Sequence, residues 1–179
     1  KNVYYEYLID VSSIPTTSTK YKFMIYWFTG QPAHGKTILA DKLKLYLEAK
    51  TNDKDPNRRY KVYRIDGDEM RELFTNKDYS INGRVNNVGT AQKIAHYLNN
   101  QGHDVIVSLV SPYVDQREDF KKLMGDDLIE IYVHTSLERE RDHYRAIAYV
   151  PPKENFISID TTFDSPNESL EKILKEIWS

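Results

Sequence analysis

The chain has 179 residues, 40% of them hydrophobic, with 25 basic and 27 acidic side chains, a formal net charge of -2 and no cysteine. That length suits one domain, or one domain with an appendage. The near-cancelling charges exclude a domain-wide nucleic-acid footprint, and the lack of cysteine excludes a disulfide framework or a thiolate metal centre.

The longest apolar run, Phe23 to Phe28, is too short to span a bilayer. The stretch ahead of Gly30 also lacks the charged-then-apolar order of a signal peptide. A cytoplasmic protein is therefore expected, and a homodimer is compatible with the composition. Lys1 to Lys20 is Tyr-rich at its start and Ser/Thr-rich at its end, and reads as an extension ahead of a domain over 21–179. The first residue is Lys rather than Met, which points to truncation or processing, with Met24 as an alternative start.

From there strand and helix patterns alternate. Lys22–Thr29 is aromatic and apolar, a buried strand. A loop bounded by glycines follows, then a helix with the apolar stripe Leu39, Leu43, Tyr46, Leu47. Thr51–Arg59 is polar and contains Pro56, so it is a loop, and Lys61–Ile65 is a second strand. Ala91, Ile94, Ala95 and Leu98 share one helical face, which Gly102 ends. Asp104–Val110 and Leu128–Val133 are two more strands rich in β-branched residues. Thr135-Ser-Leu-Glu138 has the spacing of a capping box and predicts another helix. Phe156–Ile159 is the fifth strand, and Ser165-Pro-Asn-Glu168 opens a last helix, amphipathic through Leu170, Ile173, Leu174 and Ile177. This alternation predicts an α/β fold of three layers, a parallel five-stranded sheet flanked by helices. Such folds bind ligands beyond the carboxyl ends of their strands.

The chemistry-bearing motifs fall there. Gly30-Gln-Pro-Ala-His-Gly35-Lys36-Thr37 matches G-x-x-x-x-G-K-[ST], between a predicted strand and a predicted helix. In that motif the glycines let successive backbone N–H groups point at phosphate oxygens, and the helix N-terminus adds its dipole. Gly30, Ala33, His34, Gly35, Lys36 and Thr37 are thus the candidate ATP-binding residues, with Lys36 on the β- and γ-phosphates and Thr37 on Mg²⁺. After the second strand comes Asp66-Gly67-Asp68-Glu69. Phosphoryl transfer to a hydroxyl needs one carboxylate for the acceptor proton and another for the metal or its waters. Asp68 suits the first role and Asp66 the second, although Asp66 and Glu69 also stand at capping-box spacing. The histidines do not cluster at metal-ligand spacing, so no zinc site is expected.

At this point the sequence resembles the adenylylsulfate kinase family of P-loop kinases, from about Ile25 to the C-terminus. Trp27-Phe-Thr-Gly30 is similar to the family's W-F-T-G, and Asp66-Gly-Asp68-Glu-Met-Arg71 to its D-G-D-N-x-R. Tyr79-Ser80 resembles its Phe-Ser, Arg84 and Asn87 fall at its substrate-binding Arg and Asn, and Ser108-Leu-Val-Ser111-Pro-Tyr113 resembles its S-F-I-S-P-Y. The resemblance implies an ATP·Mg²⁺-dependent kinase acting on the 3′-hydroxyl of adenylyl sulfate. Lys36 and Asp68 would be catalytic, Asp66, Arg71, Tyr79, Arg84, Asn87 and Ser111 would hold the acceptor nucleotide, and Arg141 is a further candidate for the ATP phosphates.

Each of these side chains also has a plainer reading: Tyr79 as a packing aromatic, the arginines as solvated helix charges, Ser111-Pro112 as an N-cap. The match also breaks in three places. Val88-Gly89-Thr90 replaces a pair of arginines, Val114 replaces another, with Arg117 one turn on, and a long Lys-rich segment is missing before Tyr149-Val-Pro151-Pro152. A kinase of another nucleotide-linked acceptor, such as cytidine diphosphoramidate or a modified base, therefore stays open, as does a nucleotide-binding module without turnover.

Overall fold

Strand and helix alternate through the structure, a computed structural model that describes residues 22–52, 61–138 and 145–178. In chain order the elements are β1 (Ile25–Thr29), α1 (Lys36–Asn52), β2 (Val62–Asp66), α2 (Gly67–Leu73), α3 (Ile81–Asn100), β3 (Asp104–Ser108), α4 (Val114–Met124), β4 (Leu128–His134), β5 (Phe156–Asp160) and α5 (Pro166–Ile177), with a 3₁₀ turn at Gly125–Asp127. The expected extension over 1–20 lies outside the described residues.

The strands form one sheet in the order β2-β3-β1-β4-β5, every neighbouring pair parallel. β1 is buried at all its positions because helices cover both faces of the sheet. Alternation then divides its side chains. Tyr26 and Phe28 pack with Leu39, Leu43 and Leu47 of α1 and with Leu170, Ile173 and Leu174 of α5. Ile25 and Trp27 face the other way, against Val88, Ala91 and Ala95 of α3 and Phe120 and Met124 of α4. Burying a side chain of this size contributes roughly 1.5–3 kcal/mol, so the two clusters fix the sheet from both sides.

Register decides what meets at the top of the sheet. Ser108 pairs with Phe28 on one side and with Asp66 on the other, so β1, β2 and β3 end in one row. The loop Gly30–Gly35 leaves from the β1 end of that row, at the centre of the five-stranded sheet.

The helix caps follow the sequence in part. Ser165 and Glu168 close a reciprocal capping box at α5, with Pro166 in its first turn. Asp66 caps α2, but Glu69 does not complete a box because its carboxylate pairs with Arg64 at 2.8 Å. The helix expected to open at Thr135 does not form over the described residues 135–138. Thr135 does accept from the Leu137 amide, yet Ser136 N–H donates to Thr162 Oγ1, and this contact ties the segment to the β5–α5 loop instead. Ser111-Pro112 is likewise not the cap of α4. That position belongs to Tyr113, which makes no side-chain cap bond.

Candidate active site

The loop's shape begins with Gly30. Its φ is +143°, and a Cβ there would lie 2.1 Å from the carbonyl oxygen of Val133. Only glycine lets the chain leave β1 this close to β4. Ala33 at φ 61° and Gly35 at φ 96° complete the curl that delivers the chain into α1. His34 is buried, and its carbonyl accepts from the Thr161 hydroxyl at 3.0 Å, so the end of β5 supports the loop from behind.

Lys36 opens α1. Its ammonium donates to the carbonyl of Gln31 at 2.6 Å across the loop, and the residue is 8% exposed. Burial drives its pKa down to about 8, against the opposing pull of Asp66 and then Asp68. The ammonium is thereby held inside the loop where a phosphate would sit, with two carboxylates in electrostatic range.

Asp66 is the most heavily bonded carboxylate of the site. Oδ2 accepts from Thr37 Oγ1 at 3.0 Å, Ser108 Oγ at 2.8 Å and Arg64 Nη2 at 3.1 Å, and Oδ1 accepts from the Asp68 amide at 3.0 Å. Burial pushes its pKa up, but the bonds from Ser108, the Asp68 amide and Thr37, together with Arg64, outweigh it and hold the group below the usual carboxylate range. It is ionised at neutral pH. Thr37 Oγ1 and Asp66 thus present hard oxygens 3.0 Å apart beside the loop. That donor set suits Mg²⁺, which keeps most of its coordination for water and phosphate oxygens. Among the described residues no three His, Asp or Glu side chains gather to hold a metal by themselves.

Asp68 stands exposed in the first turn of α2, its amide tied to Asp66. It is in electrostatic range of both Lys36 and Arg71. Arg71 marks a second cluster. Its guanidinium donates to the carbonyls of Asn76 at 3.2 Å and Asp78 at 2.8 Å and lies 4.1 Å from the centre of the Tyr79 ring. Arg84 lies 5.5 Å from the same ring and donates to the Tyr79 carbonyl at 3.0 Å. Tyr79 therefore lies close to two cations with half of its surface exposed.

The other expected acceptor residues sit deeper. Asn87 is 6% exposed on the inner face of α3. Ser111 is 1% exposed at φ 44°, its hydroxyl accepting from Trp27 Nε1 at 3.1 Å and its carbonyl from Arg117. It braces the loop after β3. Arg141 lies outside the described residues.

Sequence reasoning missed several partners. Arg64 bridges Asp41 at 2.7 Å, Asp66 at 3.1 Å and Glu69 at 2.8 Å. Its position two residues before Asp66 on one strand puts both on the same face, and that signal was available. Ser108, the first residue of the S-L-V-S-P-Y run, holds Asp66 rather than only ending a strand. Gln31 and Ala146 are also bonded, 115 residues apart in the chain, and nothing local foretells that.

The adenylylsulphate kinase family model matches residues 22–172. The adenylyl-sulfate kinase of Thermodesulfovibrio yellowstonii is 30% identical, over 88% of this chain and 84% of that protein. The cytidine diphosphoramidate kinase of Campylobacter jejuni is 28% identical, over 82% of this chain and 83% of its own. Among solved structures, the Mycobacterium tuberculosis APS kinase in complex with AMPPNP and APS superimposes with a TM-score of 0.74 at 22% identity, over 89% of this chain and all of that one. With five parallel strands in the same kind of sheet, a phosphate loop after β1 and a family match over most of its length, the chain belongs to the adenylylsulphate kinase family.

Proposed function

We propose that the protein transfers the γ-phosphoryl group of ATP to a hydroxyl of a nucleotide-linked acceptor, with adenylyl sulfate as the acceptor and 3′-phosphoadenylyl sulfate and ADP as products. The observation that carries this reading is that Asp68 stands exposed in the first turn of α2, in electrostatic range both of Lys36 in the phosphate loop and of Arg71 beside Tyr79. A hydroxyl presented there can give its proton to Asp68 as its oxygen bonds to the γ-phosphorus and the bond to the β-phosphate oxygen breaks. Lys36 meets the charge that gathers on the phosphoryl oxygens, and Arg71 and Arg84 suit an anionic acceptor. Thr37 and Asp66 would hold Mg²⁺, which neutralises phosphate charge when bound.

Cytidine diphosphoramidate is the second reading. It is favoured by the run Val88-Gly89-Thr90, which stands in place of the family's pair of arginines, and by the similarity to the Campylobacter jejuni enzyme. An ADP-release assay with each acceptor decides between them. Adenylyl sulfate is expected to support turnover that a chelator abolishes. Asp68→Asn is expected to lower that turnover by roughly 10²–10⁴-fold while affinity for an ATP analogue is kept. Turnover with neither acceptor, or an Asn variant as active as the parent, would overturn the assignment.

A further inference from the structure

Residues 146–150 lie as a strap across the carboxyl end of the sheet, joined to it by several independent bonds. The amide of Gln31 pairs with the backbone of Ala146 in both directions: Nε2 donates to the Ala146 carbonyl at 3.0 Å, and the Ala146 N–H donates to Oε1 at 3.0 Å. The Tyr149 hydroxyl meets Thr29 Oγ1 at 3.1 Å, and burial raises the pKa of that phenol, so it stays neutral across the working range. The Val150 amide donates to the Pro112 carbonyl at 3.0 Å, and Arg117 Nη2 donates to the Val150 carbonyl at 2.6 Å. Arg117 is itself fixed by Glu130 at 2.7 Å in the interior.

Of these contacts the paired bonds between Gln31 and Ala146 reach the phosphate loop, and they do so at the residue whose carbonyl holds the Lys36 ammonium. Gln31 is therefore restrained three ways. Pro32 confines its backbone to extended conformations from the chain side, Ala146 fixes its side chain from across the fold, and Lys36 loads its carbonyl. A glutamine is suited to this because its side-chain amide reproduces the donor and acceptor of a peptide group, as a neighbouring strand would. Ala146 is 4% exposed, so its backbone groups need such a partner.

We infer that Gln31 is a positioning residue for Lys36: by pairing with Ala146 it fixes the peptide that holds the ammonium and so sets where the charge meets the nucleotide phosphates. This rests on the phosphate-loop reading above. It assigns a role in nucleotide affinity to a loop position that the motif leaves free, and it makes the strap part of the phosphate site rather than of the acceptor site.

The test is calorimetric binding of AMPPNP with Mg²⁺ to the parent protein, Gln31→Leu, Lys36→Ala and the double variant, with melting temperatures alongside. Gln31→Leu keeps the volume and removes both bonds. It is expected to weaken AMPPNP about tenfold, the scale of one or two neutral hydrogen bonds, with little change in adenylyl sulfate affinity. In the Lys36→Ala background the same substitution is expected to change nothing further, because its effect passes through the lysine. Gln31→Glu, similar in size but setting a carboxylate against the Ala146 carbonyl, should weaken AMPPNP in the same direction and serves if the leucine variant does not fold. Unchanged AMPPNP affinity in a folded variant would overturn the inference, as would an equal loss in both lysine backgrounds or an equal loss for both ligands. Failure of the phosphate-loop reading looks different: the parent itself would not bind AMPPNP, or Lys36→Ala would bind as well as the parent.

Discussion

Lys36 answers to two demands that respond to pH in opposite directions. Burial lowers its pKa from 10.5 to about 8, with Asp66 and Asp68 resisting. The folded-state value is below the unfolded one, so between those two limits the unfolded chain holds the extra proton. Considered alone, the group makes folding stability rise with pH across that window, because the buried charge is being removed. On the proposed reading, phosphate attraction needs that same charge and is lost over the same range. The expected result is a kcat/KM for ATP that falls on an alkaline limb near pH 8 in the free enzyme, while the unfolding free energy shows no matching fall. The limb in kcat itself should lie higher, since bound phosphates favour the ammonium. A kcat/KM profile flat through the whole window would mean that Lys36 does not carry the phosphate interaction.

Between α2 and α3 the chain is held by tight local contacts, and one glycine sets them. Gly83 lies in the first turn of α3, and a Cβ there would come within 2.2 Å of the Asp78 carbonyl oxygen. That carbonyl is also the acceptor for Arg71 at 2.8 Å. Gly83→Ala must move Asp78, and Arg71 and the ring of Tyr79 with it. It is expected to cost about 1–3 kcal/mol of stability through overpacking and to raise the KM of the acceptor well above that of ATP. Gly89→Ala is the control, because a Cβ there meets nothing nearer than Gln116 Nε2 at 3.6 Å. It should be neutral or stabilising by up to about 1 kcal/mol. Equal KM values in parent and Gly83→Ala would show that the Arg71–Tyr79 pair does not shape the acceptor site. Elements of this kind were legible in the sequence where the signal is local. Aromatic, apolar and β-branched runs matched all five strands, and Ser165 to Glu168 matched the start of α5 with its capping box. Thr135 to Glu138 has the same local signal, and there a partner distant in sequence, Thr162, prevailed. The site divides the same way. Lys36, Thr37, Asp66 and Asp68 could be read from spacing, whereas Arg64 with Asp41 and Gln31 with Ala146 exist only once the sheet brings them together.

At the scale of the molecule, the site is built from the ends of strands that are separate in sequence. Thr29 ends β1, Asp66 ends β2, Ser108 ends β3, and Thr161 follows β5. Two hydrophobic clusters on opposite faces of the sheet hold those ends in register, so unfolding either face dismantles the site. A ligand that needs the assembled loop therefore binds the folded state alone, and its binding adds to global stability by mass action. For AMPPNP with Mg²⁺ at about 100 times its Kd, the gain is about 2.7 kcal/mol. In a domain of this size each kcal/mol raises the melting temperature by roughly 2–4 °C. The expected shift is about 5–11 °C on the same scaling. Lys36→Ala, measured at the same nucleotide concentration, should lose most of it, because its Kd rises while its fold does not change. Without Mg²⁺ the shift should shrink in the parent as well, since Thr37 and Asp66, the pair proposed to hold the ion, would then have none to share with the phosphates. A full shift retained in Lys36→Ala would place the nucleotide somewhere other than the loop after β1.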